Sequence, residues 1–471
     1  MPLKTLKASK SLGLLQRISD KHITALVRFF ILFTIVVVTV IFRIRVYGDP
    51  RLSVASNDTA SYVTSSQVTL FSSEIVSGRR PLTTNLIYKA FESKEGYKIV
   101  ANGSISTIPR TIQAGFDRIV FLQFVMSIIG WGFLAFALSE HIKNPFLKTL
   151  TIIAVTAFAH TPQMADWDSV LMSESLTFSL FALQLAFLIK LVFAIHENPN
   201  SKMYAQGILW AVTYFMWTFL KDTNLFASLV TMGMISALLF SIKYRKNKLL
   251  YGMLVFVSVI LILGYVTSSK STRSQIQLIN IYRDDLLRSP AWVSTLKKLG
   301  MPEPESAEYQ AWFQEKSANT LLKFMFVHPS YPVIKIMRDF PQAFTEIQQT
   351  YFKAPEQGKT RITLLLLGNA LHPETATPFL LDFILFTGLI LFAIKNISKT
   401  SRPWAWLGIW LFLTASFTLV ATILGDTWAL NRHALFSTMV YRLFMWMFPL
   451  IIMDIALEQN LQKSAQNYNT E

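Results

Sequence analysis

The sequence predicts an all-α polytopic membrane protein, and three observations lead to this fold class. Of its 471 residues, 52% are hydrophobic and only 15% are charged, and the mean hydropathy is positive, unlike that of a soluble domain. Apolar stretches recur at the length of about 20 residues that a helix needs to cross a bilayer. The Lys and Arg residues fall mostly in short links between these stretches. We therefore expect about ten transmembrane helices.

The basic excess and the lack of cysteine exclude several function classes. The formal net charge is +16, but basic residues in short links are topology signals, so no nucleic acid is expected as a partner. The chain has no cysteine, which excludes disulfides, thiol catalysis and cysteine-bound metals. The basic segment 1–22 runs into an apolar stretch without a small-residue cleavage site, so we expect a retained anchor with a cytoplasmic N-terminus.

The predicted spans follow one another with short basic links on a single side of the membrane. Their expected bounds are 23–44, 118–138, 150–159, 173–195, 205–220, 225–242, 249–267, 378–394, 404–424 and 436–457. The third is short. The polar stretches between spans one and two and after span seven should then face the exterior.

This topology divides the chain into five segments. They are a cytoplasmic N-terminus (1–22), a seven-span catalytic module (23–267) with an external loop at 45–117, a mostly helical external insert (268–377), three C-terminal spans (378–457) and a cytoplasmic tail (458–471). Within the external loop, residues 58–77 and 81–91 have apolar faces and are expected to form amphipathic helices on the bilayer surface. We find no convincing internal repeat, which weakens the case for an inverted-repeat transporter.

Asp58 is the first candidate catalytic residue. It lies in an acidic, hydroxyl-rich turn just after the first span. One interpretation is a helix cap, because Asp is favoured at that position. We favour a general base, because the same outer surface is predicted to receive further acids and a lysine from other turns.

Three further acids and five basic residues complete the candidate site. The acids Asp166, Asp168 and Glu174 precede or begin span four. They could support an acceptor or hold a divalent cation on oxygen ligands. Alternatively, the two aspartates could simply be solvated. Basic residues would stabilise the charge on a departing phosphate. These candidates are Arg79, Arg80, Lys221, Arg432 and His433. The alternative interpretation of the last three is interfacial anchoring.

Arg442 differs from the other cations because it falls inside the last predicted span. A charge at that depth is expensive and usually faces a cavity or a partner. Motifs for other enzyme classes are missing: the sequence has no Gly-rich phosphate loop, no HExxH helix and no Gly-x-Ser-x-Gly elbow. A nucleotide-driven pump and a membrane serine hydrolase are therefore disfavoured.

Taken together, these features resemble the GT-C superfamily of membrane glycosyltransferases, which includes protein O-mannosyltransferases and the enzymes that decorate lipid A. The resemblance rests on Asp58 followed by the aromatic Tyr62, on the Gly-Arg-x-Pro-Leu type turn at 78–82, and on Ser-Glu-x-Leu at 173–176. The large insert after span seven is similar too. The chain departs from the family where Asn57-Asp58 stands for a common Asp-Glu pair and where Arg432-His433 stands for an Arg-Tyr pair.

The resemblance implies an inverting transfer from a polyprenyl-phosphate sugar to a hydroxyl of a cell-envelope glycan, lipid or protein. Asp58 would activate the acceptor hydroxyl, the basic residues would receive the lipid phosphate, and the insert would shape the acceptor site. The expected location is a bacterial inner membrane, with the active site facing the periplasm or exterior.

Two alternatives remain open from the sequence. An O-antigen polymerase or ligase would depend on Arg and His in external loops, such as His372 or Arg432. A lipid-linked sugar flippase or transporter would need charged residues along an inner cavity, for which Arg442 is the candidate.

Overall fold

The computed structural model describes residues 30, 33–104, 106–199, 202–354 and 358–468, with side chains described as far as residue 460. It is 73% helical and therefore all-α. The chain forms two compact units, Met1–Asp49 and Pro50–Glu471. In the first unit, residues 33–47 form helix α1. Of the first predicted span, 23–44, residues 23–29, 31 and 32 lie outside the described residues, and residues 33–44 belong to α1.

The second unit begins with a short antiparallel ladder and three small helices. Strand β1 (Leu52–Ser53) pairs with β2 (Thr111–Ile112). Between them lie α2 (Thr59–Ser66), α3 (Glu74–Ser77) and α4 (Leu82–Phe91). The break between α3 and α4 contains Pro81, whose fixed φ suits the residue before a first helical turn.

Seven helices of the described chain are long and apolar enough to cross a membrane. They are α5 (Phe116–Glu140), α8 (Glu174–Glu197), α10 (Leu225–Phe240, with the preceding turn Asp222–Asn224), α11 (Lys248–Ser269), α17 (Thr377–Ile394), α18 (Ser401–Gly425) and α20 (Leu435–Tyr468). The architecture is that of an all-α integral membrane protein.

The expected count of about ten spans is therefore not met. Predicted spans three and five correspond to α6 (Pro145–His160) and α9 (Tyr204–Thr218), which have 16 and 15 residues. At 1.5 Å per residue each is about 24 Å long or less, short of the roughly 30 Å hydrocarbon layer. Pro162 ends the apolar helix α6, because its ring cannot continue the hydrogen-bond ladder.

The predicted insert consists mainly of helices. Its helices are α12 (Gln275–Ile281, continued by a π turn at Tyr282–Leu286), α13 (Pro290–Lys298), α14 (Ala307–Val327), α15 (Ser330–Asp339) and α16 (Lys359–Leu371). Two short helices lie outside the insert: α7 (Pro162–Ala165) in the turn before α8, and α19 (Leu430–His433) between α18 and α20. A second hydrophobic core, which includes Leu286, Leu296 and Phe324, joins α12 to α15. Phe344 and Phe352 instead pack into the main core among the spans.

Close packing of α5 on α8 forms the centre of the main core. A Cβ added at Gly130 of α5 would lie 2.3 Å from the backbone oxygen of Ser179 in α8. Only a residue without a side chain permits this approach. Beside it, Phe181 of α8 stacks near Trp410 and contacts Phe436, which ties α8 to α18 and α20. This bundle holds in place the helix ends that carry the candidate site.

Candidate functional site

A charged cavity of about 190 Å³ lies where the ends of several helices meet. The turn before α2, the start of α4, the start of α8, the turn before α10 and the α18–α19 turn all contribute. Four carboxylates line it: Asp58, Glu174, Asp222 and Asp426. Five cations and one imidazole face them: Arg79, Arg80, Lys221, Arg273, Arg432 and His433.

Asp58 is bound by two arginines rather than by the helix it precedes. Although it occupies the N-cap position of α2, its side chain makes no capping hydrogen bond, so the capping interpretation is not observed. Its Oδ1 accepts from Arg80 Nη2 at 2.7 Å, and its Oδ2 accepts from Arg432 Nη1 at 3.1 Å. The side chain remains 26% exposed, toward the cavity.

The electrostatics of this triad keep all three groups charged. Burial opposes ionisation of Asp58, but the charges of Arg432 and Arg80 outweigh it and hold the pKa of the carboxyl below its usual value. Burial likewise disfavours the charged Arg432, yet the facing acids and the Tyr351 hydroxyl raise the pKa of its guanidinium. A carboxylate held this way is a weak base until its arginine contacts loosen.

Local contacts fix Arg80 in the orientation that reaches Asp58. Its Nε donates to Ser61 Oγ at 2.6 Å, and its guanidinium carbon lies 4.5 Å from the centre of the Tyr62 ring. A guanidinium over an aromatic face gains cation–π attraction. Burial raises the pKa of Tyr62, so its hydroxyl stays neutral. Tyr62 thus serves as a platform for Arg80, while Arg79 stands exposed at the cavity.

A hydrogen-bonded chain orients Arg432 from the other side. Arg432 Nη2 lies 2.8 Å from His433 Nε2, and His433 Nδ1 lies 3.0 Å from Asp426 Oδ2. A guanidinium can only donate, so Nε2 accepts and Nδ1 carries the proton that is donated to Asp426. The Asp426 carboxylate also accepts from the backbone N–H groups of Thr427 and Trp428. Burial opposes ionisation of Asp426, but these donors and His433 lower its pKa.

The turn that presents this chain is locally strained. Ala429 adopts φ 48°, a left-handed conformation that residues with a Cβ rarely take. It lies between the end of α18 and the start of α19, and it reverses the chain so that Arg432 and His433 face the cavity.

Lys221 and Glu174 form a second ion pair in the cavity wall. Lys221 Nζ donates to Glu174 Oε1 at 2.9 Å, and the Glu174 side chain is only 3% exposed. Among the described residues, Glu174 Oε2 has no hydrogen-bond partner. Lys221 thus contacts an acid in the site rather than reaching away to an interface.

Arg273 and Asp222 close the cavity on the side of the insert. Arg273 Nε lies 3.1 Å from Asp222 Oδ2, and Arg273 Nη1 donates to the backbone oxygens of Val76 and Arg80. Arg273 therefore braces the chain segment that carries Arg80.

Asp166 and Asp168, predicted as supporting acids, do not line the cavity. Asp166 Oδ2 accepts from Arg361 Nη2 at 2.6 Å, and Asp168 Oδ1 accepts from Ser175 Oγ at 2.6 Å. Both are buried. Their turn packs inward against α16 and α8 instead of opening toward Asp58.

Arg442 also lies outside the cavity. Its Nε donates to the backbone oxygen of Pro373 at 3.0 Å, and its Nη2 donates to that of Phe344 at 2.5 Å. The side chain is buried. These contacts fasten the two turns on either side of α16 to α20, which gives Arg442 a structural role.

A divalent cation, which the sequence leaves open, does not fit this arrangement of residues. Among the described residues, no group of three or more His, Asp or Glu side chains could hold a metal ion. Both oxygens of Asp58 face arginines, and Glu174 faces Lys221. Cationic neighbours of this kind repel a metal ion, so no step below passes through one.

An apolar groove of about 650 Å³ adjoins the charged cavity. The two share Gln277, Ala421 and Gly425 in their linings. The groove lies between α10, α12, α14 and α18, and its apolar walls include Phe226, Leu278, Leu321, Met325, Phe417 and Val420.

Sequence reasoning missed four residues of the site. Asp222 follows the predicted Lys221, and Asp426 lies six residues before the predicted Arg432. Their closeness in sequence to predicted site residues is the signal that could have found them. Arg273 and Tyr351 come from the insert, and Tyr351 binds Arg432 at 3.1 Å. Nothing in the sequence near these two residues signals that they reach the site.

No known family model, curated protein or solved structure matches this chain. The resemblance to the GT-C superfamily therefore stays a prediction. The function proposed below rests on the cavity, the groove and the residues that line them.

Proposed function

We propose that this protein is an integral membrane glycosyltransferase that moves a sugar from a polyprenyl-phosphate donor to an acceptor hydroxyl. The observation that carries the proposal is the junction of a cavity rich in cations with an apolar groove. A polyprenyl-phosphate sugar has the matching form, because an anionic phosphate joins its sugar to a hydrocarbon tail. The acceptor is a glycan, lipid or protein of the cell envelope.

The cations of the cavity suit a lipid phosphate. Arg80 and Arg432 already hold one anionic group, the Asp58 carboxylate, between them. Arginine binds phosphate in the same forked geometry as carboxylate. Lys221 and the exposed Arg79 add positive charge along the same wall. These groups would stabilise the charge that develops on the departing phosphate.

In the proposed reaction, Asp58 takes the proton of the acceptor hydroxyl as its oxygen attacks the anomeric carbon of the sugar. A new carbon–oxygen bond forms while the bond from that carbon to the phosphate oxygen breaks. The polyprenyl phosphate leaves with the electron pair, and attack opposite to the leaving group inverts the anomeric configuration. A positioned general base contributes roughly 10²–10⁴-fold to such a rate.

Donor binding would convert Asp58 from a salt-bridge partner into a base. A phosphate in the cavity competes with Asp58 for the same two guanidinium groups. As Arg80 and Arg432 turn to the phosphate, their charges no longer lower the pKa of Asp58. Burial, which raises this pKa, then dominates, and Asp58 can accept a proton. The base is then active only when a donor is present.

We further propose a bacterial inner membrane, with the cavity facing the periplasm or exterior. Because α10 starts and α18 ends at the cavity, the links 243–248 and 395–402 lie at the opposite end of the spans. Together the two links carry seven basic residues: Lys243, Arg245, Lys246, Lys248, Lys395, Lys399 and Arg402. The positive-inside rule places such links in the cytoplasm.

Two of the three residues named for the alternatives, His372 and Arg442, lie outside the cavity, whereas Arg432 lines it. His372 is buried against Thr161 and Phe158 and does not line the cavity, and burial lowers its pKa to about 3. Arg442, on which the transport alternative depended, binds backbone oxygens away from the cavity. Neither residue has the surroundings of a group that handles a substrate.

A reconstituted transfer assay tests the proposed function. Purified protein in lipid vesicles receives a panel of radiolabelled polyprenyl-phosphate sugars and a crude envelope acceptor, with and without EDTA. We expect label in the acceptor at the same rate in both arms. Label that crosses the bilayer with no new glycosidic bond would support a flippase, and loss of transfer with EDTA would support a metal-dependent enzyme.

A further inference from the structure

Helix α15 buries two of its charged residues and exposes several apolar ones, while its third charged residue, Arg338, has a side chain that is 49% exposed. The exposed side chains include Val333, Ile334 and Met337, which are 55%, 54% and 73% exposed. The opposite face buries Lys335 and Asp339. A surface helix in water shows the reverse pattern, with its apolar stripe on the core.

The buried charges of α15 are fully paired, so they need no water. Lys335 is only 1% exposed and its Nζ lies 2.8 Å from Asp339 Oδ2 and 3.2 Å from Asp285 Oδ2. Arg338 Nη1 reaches Asp285 Oδ1 at 2.7 Å, and the Tyr331 hydroxyl donates to Asp285 Oδ2. Paired and inward-facing charges are the form in which ionised groups persist within a bilayer.

The preceding helix, α14, changes character along its length. In its first half the exposed residues are two alanines and the polar residues Glu308, Gln310, Gln314, Glu315 and Lys316. Toward its end Leu322, Phe326 and Val327 are 52%, 85% and 57% exposed. Lys323 is exposed beside them, and its flexible stem can carry the charge back toward water. The polarity gradient is that of a helix entering an apolar layer.

Ring contacts join the end of α15 to two of the membrane-spanning helices. The Phe340 ring at the end of α15 lies 5.1 Å from that of Phe379 in α17, which lies 5.3 Å from that of Phe412 in α18. Phe412 precedes Gly425, the end of α18 at the cavity, by thirteen residues, or about 20 Å. Since α18 is about 37 Å long and the hydrocarbon layer about 30 Å, Phe412 lies at least about 13 Å inside.

We propose that the end of α14 and helix α15 form a hairpin embedded in the leaflet on the cavity side, with lipid acyl chains as its partner. Its apolar face continues onto the exposed surface of a span, because Leu380, next to Phe379 in α17, is 59% exposed. The turn at His328 and Pro329 then lies within lipid depth, where His328 Nε2 is satisfied by Thr295 Oγ1 at 3.0 Å. The segment predicted to be external is thus partly re-entrant.

The chain has no cysteine, so single cysteines can report depth without background. Phe326→Cys and Met337→Cys place a bimane probe on the hairpin. Glu315→Cys, on the polar half of α14, is the aqueous control, and Leu380→Cys is the lipid-facing reference. All four positions are exposed, so none of the substitutions opens a cavity. Each labelled protein is reconstituted in phosphatidylcholine vesicles with doxyl-labelled lipid or with aqueous iodide.

The expected result is a blue-shifted emission at positions 326 and 337, with loss of fluorescence to doxyl lipid equal to that at position 380. Iodide should quench the probe at position 315 and spare the hairpin probes. Quenching of both hairpin probes by iodide and not by doxyl lipid would overturn the proposal. Shielding of both from either quencher would also overturn it, since it would indicate a protein partner such as a second copy of the chain.

Discussion

At the scale of single residues, the site is a line of groups that orient one another through hydrogen bonds and ion pairs. Asp426 sets the tautomer of His433, His433 accepts from Arg432, and Arg432 binds Asp58. Three of these four residues lie within an eight-residue stretch of the sequence, whereas Asp58 is 374 residues away from Arg432. The sequence shows the residue types, but only the packed spans bring the two ends together.

His433 is expected to position Arg432. In His433→Phe, Arg432 loses its acceptor and Asp426 loses its donor, and a hydrogen bond to a charged group contributes about 1.5–3 kcal/mol. Transfer should therefore fall roughly 10–100-fold in kcat/KM. His433→Gln is the matched control, because its amide can accept from Arg432 and donate to Asp426. Equal losses in both variants would show that the hydrogen bonds from Asp426 through His433 do not orient Arg432.

His372 should make the stability of the protein depend on pH. Burial and the nearby Arg442 lower its folded pKa to about 3, whereas an unfolded histidine titrates near 6.5. Between these values the unfolded chain binds a proton that the folded chain does not, so stability falls as pH falls below about 6.5, by at most about 1.4 kcal/mol per unit. Thermal unfolding from pH 7 to pH 4 measures it. His372→Gln should show a smaller slope, and an unchanged slope would contradict the assignment.

At the scale of elements, hydropathy identified most of the spans and misjudged the short ones. Helix α9 was expected to continue to Leu220, but it ends at Thr218 and the chain turns at Lys221 into the cavity. Apolar composition predicts only that a stretch of sequence is shielded from water. It does not distinguish burial in lipid from burial under other helices, which is the case for Trp210 and Trp217 of α9.

Because α5 and α8 are in close contact at Gly130, a larger residue at this position is expected to destabilise the protein. Gly130→Ala would force a Cβ to 2.3 Å from the Ser179 backbone oxygen, and overpacking of this kind costs about 1–3 kcal/mol. The melting temperature in detergent should fall. Gly132→Ala is the control, because nothing lies within 4 Å of its added Cβ. A similar melting temperature in both variants would show that the helices can separate without cost.

At the scale of the whole molecule, function depends on the cavity and groove lying side by side. Sequence analysis anticipated eight residues that line the cavity together: Asp58, Tyr62, Arg79, Arg80, Glu174, Lys221, Arg432 and His433. It also grouped Asp166 and Asp168 with them, although their turn packs inward. The groove had no sequence signal at all, since its walls come from four helices of separate regions.

The groove should determine how well the enzyme binds long donors. Val420→Trp would fill part of the groove wall formed by α18. We expect a higher KM for long-chain polyprenyl donors and an unchanged KM for a short donor that carries a methyl group in place of the isoprenoid, because such a donor has no tail to enter the groove. Val255→Trp, on the exposed face of α11 and outside the groove, is the control. Equal effects on long and short donors would place the tail elsewhere.

Whether Asp58 is the general base is tested by comparing transfer and donor binding in Asp58→Asn. Single-turnover transfer from a labelled polyprenyl-phosphate sugar and the Kd of that donor are determined on the same reconstituted samples, with Asp284→Asn on the surface of the insert as the control. We predict that Asp58→Asn slows transfer roughly 10²–10⁴-fold while donor binding is kept or strengthened, because the arginines are released. Transfer at the wild-type rate in Asp58→Asn would contradict a role for Asp58 as the base.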